Sequence, residues 1–271
     1  MTLSRREVVD LLAEHGLRPR RALGQNFVVD PNTVRRIARL AGVGPGDRVV
    51  EIGAGLGSLT LALAETGASV TAVETDPQLV AVLRRVVEPA GVTVVEGDAR
   101  RIDWAALLGD HRWRLVANLP YNVATPLVLD LLEQVLAIEH MLVMVQREVG
   151  ERLAAHVGDE AYGAVSVKVA FWATATVVGS VPATVFVPRP NVESALVRVD
   201  RRSTPAVDAS IDRRRLFALI DQGFGQRRKM LRRALAGTVD ASGFACADIR
   251  SEARAEELSI EDWGRLAACN G

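Results

Sequence analysis

Asn118, Leu119, Pro120 and Tyr121 stand together in a pattern suited to one chemical task, methylation of the exocyclic amine of an adenine. That nitrogen is a poor nucleophile because its lone pair is delocalised into the purine ring. An Asn side-chain oxygen and a backbone carbonyl after it can accept both N6 hydrogens, which localises the lone pair on nitrogen. Pro120 locks φ at about −65° and so fixes the direction of that carbonyl. Tyr121 offers a face on which a base can stack. Taken alone, the same four residues also read as a strand end followed by a turn.

Three further groups of residues suit a nucleotide-like methyl donor. Val49-Val50-Glu51-Ile52-Gly53-Ala54-Gly55-Leu56-Gly57 reads as a strand running into a glycine-rich turn and a helix. Glycines there let the backbone come close to a ligand. Glu74 falls at the end of the next strand, where an acidic residue binds the two hydroxyls of a ribose. A dinucleotide enzyme and an S-adenosylmethionine enzyme both fit this pair, and the G-x-G-x-G spacing leans to the second. Gly97-Asp98-Ala99 closes a third strand, where the carboxylate can accept from the amine of a cofactor adenine; a solvated Asp is the plain alternative. Glycine loop, Glu74, Asp98 and Asn118 thus sit at the carboxyl ends of consecutive strands, the edge at which open α/β sheets bind ligands.

The elements that must position them alternate. Strands are expected near 48–52, 69–74, 92–96, 114–118, 140–145, 165–178 and 194–200, with helices near 57–66, 77–87, 124–136 and 147–156. This is the pattern of an α/β, Rossmann-like parallel sheet. A short helix ending at Gly16 precedes it, then the basic stretch Arg18-Pro19-Arg20-Arg21 and a helix from Asp30-Pro31-Asn32 to about Ala41. The loop with Pro182, Pro188 and Pro190 holds no helix, so an antiparallel hairpin is expected at the end of the sheet. Beyond Asp200 come Arg-rich helices near 212–223, 226–236 and 259–268. A boundary near 201–210 gives a catalytic domain over 1–202 and a small all-α domain over 203–271.

The 271 residues are 49% apolar, as in an ordinary globular protein, and the net charge is zero. The charge is not evenly spread. Arg201 to Asp240 carries ten Arg or Lys against four Asp, whereas Asp248 to Asp262 carries six acidic residues against two Arg. A basic patch able to meet a phosphate backbone is therefore hidden in a neutral total. There is no apolar run of about eighteen residues and no apolar signal core at the N-terminus. Cys246 and Cys269 are too few and too C-terminal for a disulfide framework or a metal cluster, which suits a reducing cytoplasm.

With these residues in view, the chain resembles the rRNA adenine N6-dimethyltransferases. Gly24-Gln25-Asn26-Phe27, Glu51-Ile52-Gly53 through Leu59-Thr60, and Asn118-Leu119-Pro120-Tyr121-Asn122 carry the resemblance. Val145-Gln146-Arg147-Glu148-Val149, Tyr162-Gly163, Val185-Phe186-Val187-Pro188-Arg189-Pro190 and Phe224-Gly225-Gln226-Arg227-Arg228-Lys229 extend it from about residue 20 to 235. The likeness is strongest to the KsgA-type branch, which dimethylates two adjacent adenines in the 3′-terminal hairpin loop of 16S rRNA during small-subunit assembly.

The resemblance implies S-adenosylmethionine as cofactor, no metal, and rRNA in the assembling small subunit as partner; the lack of a long apolar run argues against a membrane, and a monomer is expected because nothing suggests an obligate dimer. Gln25, Asn26 and Phe27 would lie at the cofactor's methionine end beside Gly53, Gly55 and Gly57. Glu74 would hold the ribose, and Asp98 with Ala99 the cofactor adenine. Asn118 and the Leu119 carbonyl would grip the target N6, with Pro120 between them and Tyr121. Tyr121 and Phe186 would sandwich the base, although Phe186 also reads as plain core. Gln146 and Glu148 read as structural. Arg227, Arg228, Lys229, Arg232 and Arg233, on a basic helix start, would meet RNA phosphates. Ala54, Val181 and Ala170 depart from the usual pattern at positions of loop rigidity and packing. Two rival readings remain: a large-subunit rRNA adenine methyltransferase conferring macrolide resistance, and a non-catalytic assembly factor on the same fold. A dehydrogenase gives Asn118 and Tyr121 no role.

Overall fold

A computed structural model describes residues 2–20 and 24–270, so Arg21 of the basic stretch lies outside the described residues. Helix α1 (Arg5–Glu14) begins at Ser4, whose hydroxyl accepts from the Glu7 amide while the Glu7 carboxylate accepts from the Ser4 amide. That reciprocal pair satisfies two amides with no intrahelical partner. Strand β1 (Phe27–Val28) leads into α2 (Pro31–Ala41), which starts where Asp30 accepts from the Thr33 amide and Pro31 takes the first helical position. The alternating region runs β2 (Arg48–Ile52), α3 (Ser58–Ala64), β3 (Ser69–Glu74), α4 (Pro77–Val87), β4 (Thr93–Glu96), α5 (Trp104–Leu108), β5 (Trp113–Asn118), α6 (Ala124–Gln134) and β6 (Ile138–Gln146). After it come α7 (Arg147–Ala154), α8 (Ala164–Trp172), β7 (Ala173–Val181), β8 (Phe186–Val187) and β9 (Ser194–Arg201). The chain ends with α9 (Arg213–Gly225), α10 (Leu231–Ala234), α11 (Ala241–Cys246) and α12 (Ile260–Ala268).

Seven strands form one sheet in the order β4-β3-β2-β5-β6-β9-β7, parallel from β4 through β6, with β9 antiparallel to β6. The expected α/β sheet with an antiparallel end is therefore present. The order reverses between β2 and β5, which opens a crevice at their carboxyl ends. A second, two-stranded sheet pairs Phe27 with Val187 and Val28 with Phe186.

The chain divides into two compact units, Met1–Gly150 with Val177–Asp200, and Glu151–Thr176 with Arg201–Gly271. The first is built on a core that includes Val34, Ile37, Leu63, Leu83, Val116 and Leu196. The second is built around Leu216, Ile220, Leu235, Trp263 and Leu266. Gly223 lets α9 press on Trp263, since a Cβ there would lie 2.5 Å from the indole ring. No described helix is long and apolar enough to cross a membrane.

Four expectations need correction. Residues 164–172 form α8 rather than the first half of a strand, and only 173–181 extend. The boundary near 201 is not the only one, because 151–176 group with the C-terminal helices rather than with the sheet. The helix expected over 226–236 is a turn followed by the single-turn α10; Met230 is extended (φ −61°, ψ 146°) and interrupts it. Cys246 and Cys269 form a disulfide that joins the end of α11 to the end of α12, with Cα atoms 5.8 Å apart. Counting cysteines for a framework passes over a single bridge, and a bridged pair no longer argues for a reducing compartment.

Candidate active site

A cavity of about 280 Å³ opens at the carboxyl ends of β2, β3, β4 and β5. Gln25, Asn26, Phe27, Gly53, Gly55, Glu74, Asp98, Ala99, Asn118 and Pro120 line it, so residues far apart in sequence meet on one edge. Gly57 does not line the cavity. Its part is packing: at φ +90° it begins α3, and a Cβ there would come within 2.5 Å of the Val87 side chain on α4.

Glu74 is buried, and its carboxylate accepts from the amides of Gly55 (2.8 Å), Thr75 (2.9 Å) and Asp76 (3.0 Å). Burial raises its pKa, the three amides oppose that rise, and the Asp76 carboxylate adds to it. Each carboxylate oxygen has two lone pairs, so Oε2, which accepts only from Gly55 among the described residues, retains capacity for a hydroxyl. Asp98 is half exposed and accepts from the Arg100 amide at 2.9 Å. Gln25 spends its carboxamide on the loop itself, accepting from the Arg20 amide at 2.8 Å and donating to Asp76 at 3.0 Å.

The loop carrying Gln25 and Asn26 presses directly on the Asn118–Tyr121 turn. Gly24 has φ +65°, and a Cβ on it would lie 2.8 Å from the Pro120 Cβ. The Asn118 side-chain nitrogen donates to the Asn26 carbonyl at 3.0 Å. A carbonyl can only accept, so this bond fixes which end of the amide faces it and leaves the Asn118 Oδ1 as an acceptor with no partner among the described residues. The Leu119 amide donates to the Met144 carbonyl at 3.0 Å, and no hydrogen bond among the described residues ends on the Leu119 carbonyl outside the regular elements. Two acceptors are thus held rigidly one residue apart.

Tyr121 donates to or accepts from the Ser194 hydroxyl at 2.9 Å, which braces the ring against the start of β9. Burial raises the phenol above its usual pKa, with the Ser194 bond opposing, so it stays neutral. Phe186 is placed differently from its expected sandwich role. It is 1% exposed and packed with Val28, Val181 and Leu196 in the core, so its ring presents no open face.

The profile of the ribosomal RNA adenine dimethylase family matches residues 16–269. The chain belongs to this family. Among its relatives, the ribosomal RNA small subunit methyltransferase A of Thermobifida fusca (strain YX) is 50% identical over 96% of this chain and 93% of its own length. The protein of the same name from Kineococcus radiotolerans (strain ATCC BAA-149 / DSM 14245 / SRS30216) is 48% identical over 98% and 91%. Of solved structures, a dimethyladenosine transferase from Plasmodium falciparum superposes with a TM-score of 0.73 at 22% identity, covering 88% of this chain and 94% of its own. The 23S rRNA methyltransferase ErmE gives 0.70 at 24% identity, covering 90% and 99%. At such identities the structures speak for the fold alone.

One lining residue of this dimethylase-family site escaped the list of candidates drawn from the sequence. Glu51 is 1% exposed, lines the cavity, and has no hydrogen-bond partner at Oε2 among the described residues. Burial pushes its pKa up to about 8; the neighbouring Thr60 hydroxyl opposes this and the Glu74 carboxylate adds to it. The one sequence signal was an acidic residue inside an otherwise apolar strand, directly ahead of the glycine loop.

The basic residues of the helical unit fall into two sets. Arg227 pairs with Glu256 at 2.7 Å and Arg232 with Glu252 at 3.2 Å. Arg228, Lys229 and Arg233 are exposed and have no carboxylate partner among the described residues. The acidic C-terminal segment therefore neutralises two of the five expected RNA contacts.

Proposed function

We propose that this rRNA adenine dimethyltransferase holds the N6 amine of its target adenine on the Asn118 Oδ1 and the Leu119 carbonyl, against the Tyr121 ring. The observation that carries this reading is the Asn118–Asn26 hydrogen bond, which makes Oδ1 an acceptor before any substrate arrives. With both N6 hydrogens accepted, the lone pair localises on nitrogen. The positive charge that grows there as the methyl group leaves sulfur meets two oxygens and a π face already in place, and the amine then loses one of its hydrogens as a proton to water. Little more than positioning is then required, and the base must leave its stack to enter.

The residues lining the cavity, from Gln25 to Asp98, suit S-adenosylmethionine, and the partnerless Oε2 of buried Glu51 is an acidic group that a cationic ligand would draw into its ionised form. Glu74 would take the ribose, Asp98 and Ala99 the adenine, and Asn26, Phe27, Gly53 and Gly55 the methionine end. That cofactor supplies a sulfonium-bound methyl group, electrophilic enough to need no covalent enzyme intermediate. Gln25, whose carboxamide is engaged by Arg20 and Asp76, acts by closing the loop over the site.

The substrate in this reading is 16S rRNA in the assembling small subunit, two adjacent adenines each receiving two methyl groups, with a monomeric enzyme working in the cytoplasm. Support comes from the small-subunit methyltransferase names of the relatives at 50% and 48% identity. Arg228, Lys229 and Arg233 are the phosphate contacts of the helical domain. Methyl transfer from labelled S-adenosylmethionine to unmethylated small subunits, and separately to protein-free large-subunit rRNA, tests it. Dimethyladenine near the small-subunit 3′ end is expected. Label confined to the large-subunit RNA would overturn the substrate assignment, and no transfer with cofactor bound would overturn catalysis.

A further inference from the structure

A second hollow, of about 490 Å³, lies in the loop between β7 and β9 and is formed by Pro182, Ala183, Thr184, Arg189, Pro190, Asn191, Val192 and Glu193. None of these residues lines the cofactor cavity. The loop is anchored at both ends, and one anchor reaches Tyr121 of the proposed acceptor site. On one side it continues directly from Phe186 and Val187 of β8, which pair with β1. On the other it ends at Ser194, whose hydroxyl bonds Tyr121.

The rim is braced rather than loose. Arg5 of α1 donates to the Thr184 carbonyl at 2.6 Å, the Val29 amide donates to the Val185 carbonyl at 2.8 Å, and the Arg147 amide donates to the Glu193 carbonyl at 3.0 Å. Its charges are unequal. Glu193 is countered by Arg147 at 3.6 Å, whereas Arg189 is exposed and has no carboxylate partner among the described residues. Val192, 43% exposed, and Pro190 add an apolar ledge beside that free cation.

A free guanidinium beside an apolar ledge, in a hollow of ligand size, is what one nucleotide of a single strand requires: a cation for the phosphate and a dry surface for the base. We propose that this hollow seats the nucleotide next to the target adenine, with its phosphate on Arg189 and its base against Pro190 and Val192. The inference rests on the adenine-methylating reading and deepens it. An enzyme that modifies two adjacent adenines must hold one while the other reacts, and a seat contiguous with the acceptor residues does that without releasing the strand. Arg189 here is a binding residue, not a catalytic one.

The experiment compares full-length wild type, Arg189→Ala, Arg189→Lys and Val192→Ser on unmethylated small subunits, reading affinity, its salt dependence, kcat, and S-adenosylmethionine affinity. Arg189→Ala is expected to weaken subunit binding by about five- to tenfold and to reduce the salt slope by about one. Arg189→Lys should recover most of the slope, and Val192→Ser should weaken binding with the slope unchanged. Cofactor affinity and melting temperature should stay at wild-type values in all three, because these side chains are exposed. Subunit affinity and slope unchanged in Arg189→Ala, while wild type methylates adenine normally, would overturn the seat and leave the acceptor reading standing. A wild type that fails to methylate adenine would overturn both.

Discussion

The side-chain amide of Asn118 donates to the backbone carbonyl of Asn26 across a sequence separation of 92 residues, at 3.0 Å. The acceptor geometry is therefore set by a loop that also faces the cofactor cavity. Replacing Asn118 by Ala removes the acceptor and should lower kcat by about 10²- to 10³-fold, the usual loss for one preorganised polar contact to developing charge. Asn118→Asp keeps an oxygen but cannot donate, and it turns a carboxylate toward the Asn26 carbonyl. It should lose activity comparably while binding S-adenosylmethionine within a few-fold of wild type. Single-turnover transfer together with calorimetric cofactor titration measures both. An active Asp variant would show that orientation by Asn26 is dispensable.

Gly24 sits at φ +65° with Pro120 against the place its Cβ would occupy, 2.8 Å from the Pro120 Cβ. Gly24→Ala should destabilise the fold by about 1–3 kcal/mol, since both the backbone angle and the clash oppose it. The displaced Pro120 should lower kcat more than cofactor affinity. Urea unfolding and steady-state kinetics on one preparation decide this, and wild-type values in both would mean that the two loops move independently.

The buried Glu51 makes stability depend on pH. Its pKa rises from 4.5 to about 8 on folding, so between those values the folded chain keeps a proton that the unfolded chain has released. Stability then falls as pH rises through that window, by up to about 1.4 kcal/mol per pH unit, and levels off above it. In ligand-free protein, Glu51→Gln should flatten this part of the profile. Parallel profiles for the two proteins would mean that Glu51 ionises in the folded state as freely as in the unfolded one.

In the helical unit, charge reversal at Arg228 or Lys229 should weaken subunit binding more than reversal at Arg227, whose charge Glu256 already meets at 2.7 Å. Each unpaired cation removed should lower the salt slope by about one. Filter binding over a range of salt checks the ranking. Equal slopes for all three variants would mean that RNA displaces Glu256 at no disadvantage.

The parallel sheet and its ligand edge were legible in the sequence because chemistry and secondary structure coincide there. Gly53, Glu74, Asp98 and Asn118 each end or follow a short apolar run, and parallel pairing brings those ends together. What was not legible depends on packing. Val165-Ser166-Val167-Lys168-Val169 alternates like a strand, yet it is helical: Val167 and Val169 are both buried and Lys168 pairs with Asp221 at 2.6 Å. Neighbours override a weak local preference there. Phe186 could be read as a stacking residue or as core, and only its burial distinguishes them. Nothing in the spacing of Arg227 and Glu256 announces their pairing, and Glu51 reads as part of a glycine motif, since the burial that leaves its Oε2 without a partner among the described residues is a matter of packing.

The pairing of β1 with β8 and of Tyr121 with Ser194 also bears on when a newly made chain can act. Proteins are made from the N-terminus and fold largely in that order. Every residue lining the cavity lies at or before Leu127, yet two of them, Phe27 and Val28, find their strand partners only in Val187 and Phe186. The partner strand of Phe27 and the hydroxyl that braces Tyr121 come only with residues 186–194, after α8 has been made. Both sides of the site, the cavity wall at β1 and the brace on Tyr121, are therefore completed by the same late segment of the chain.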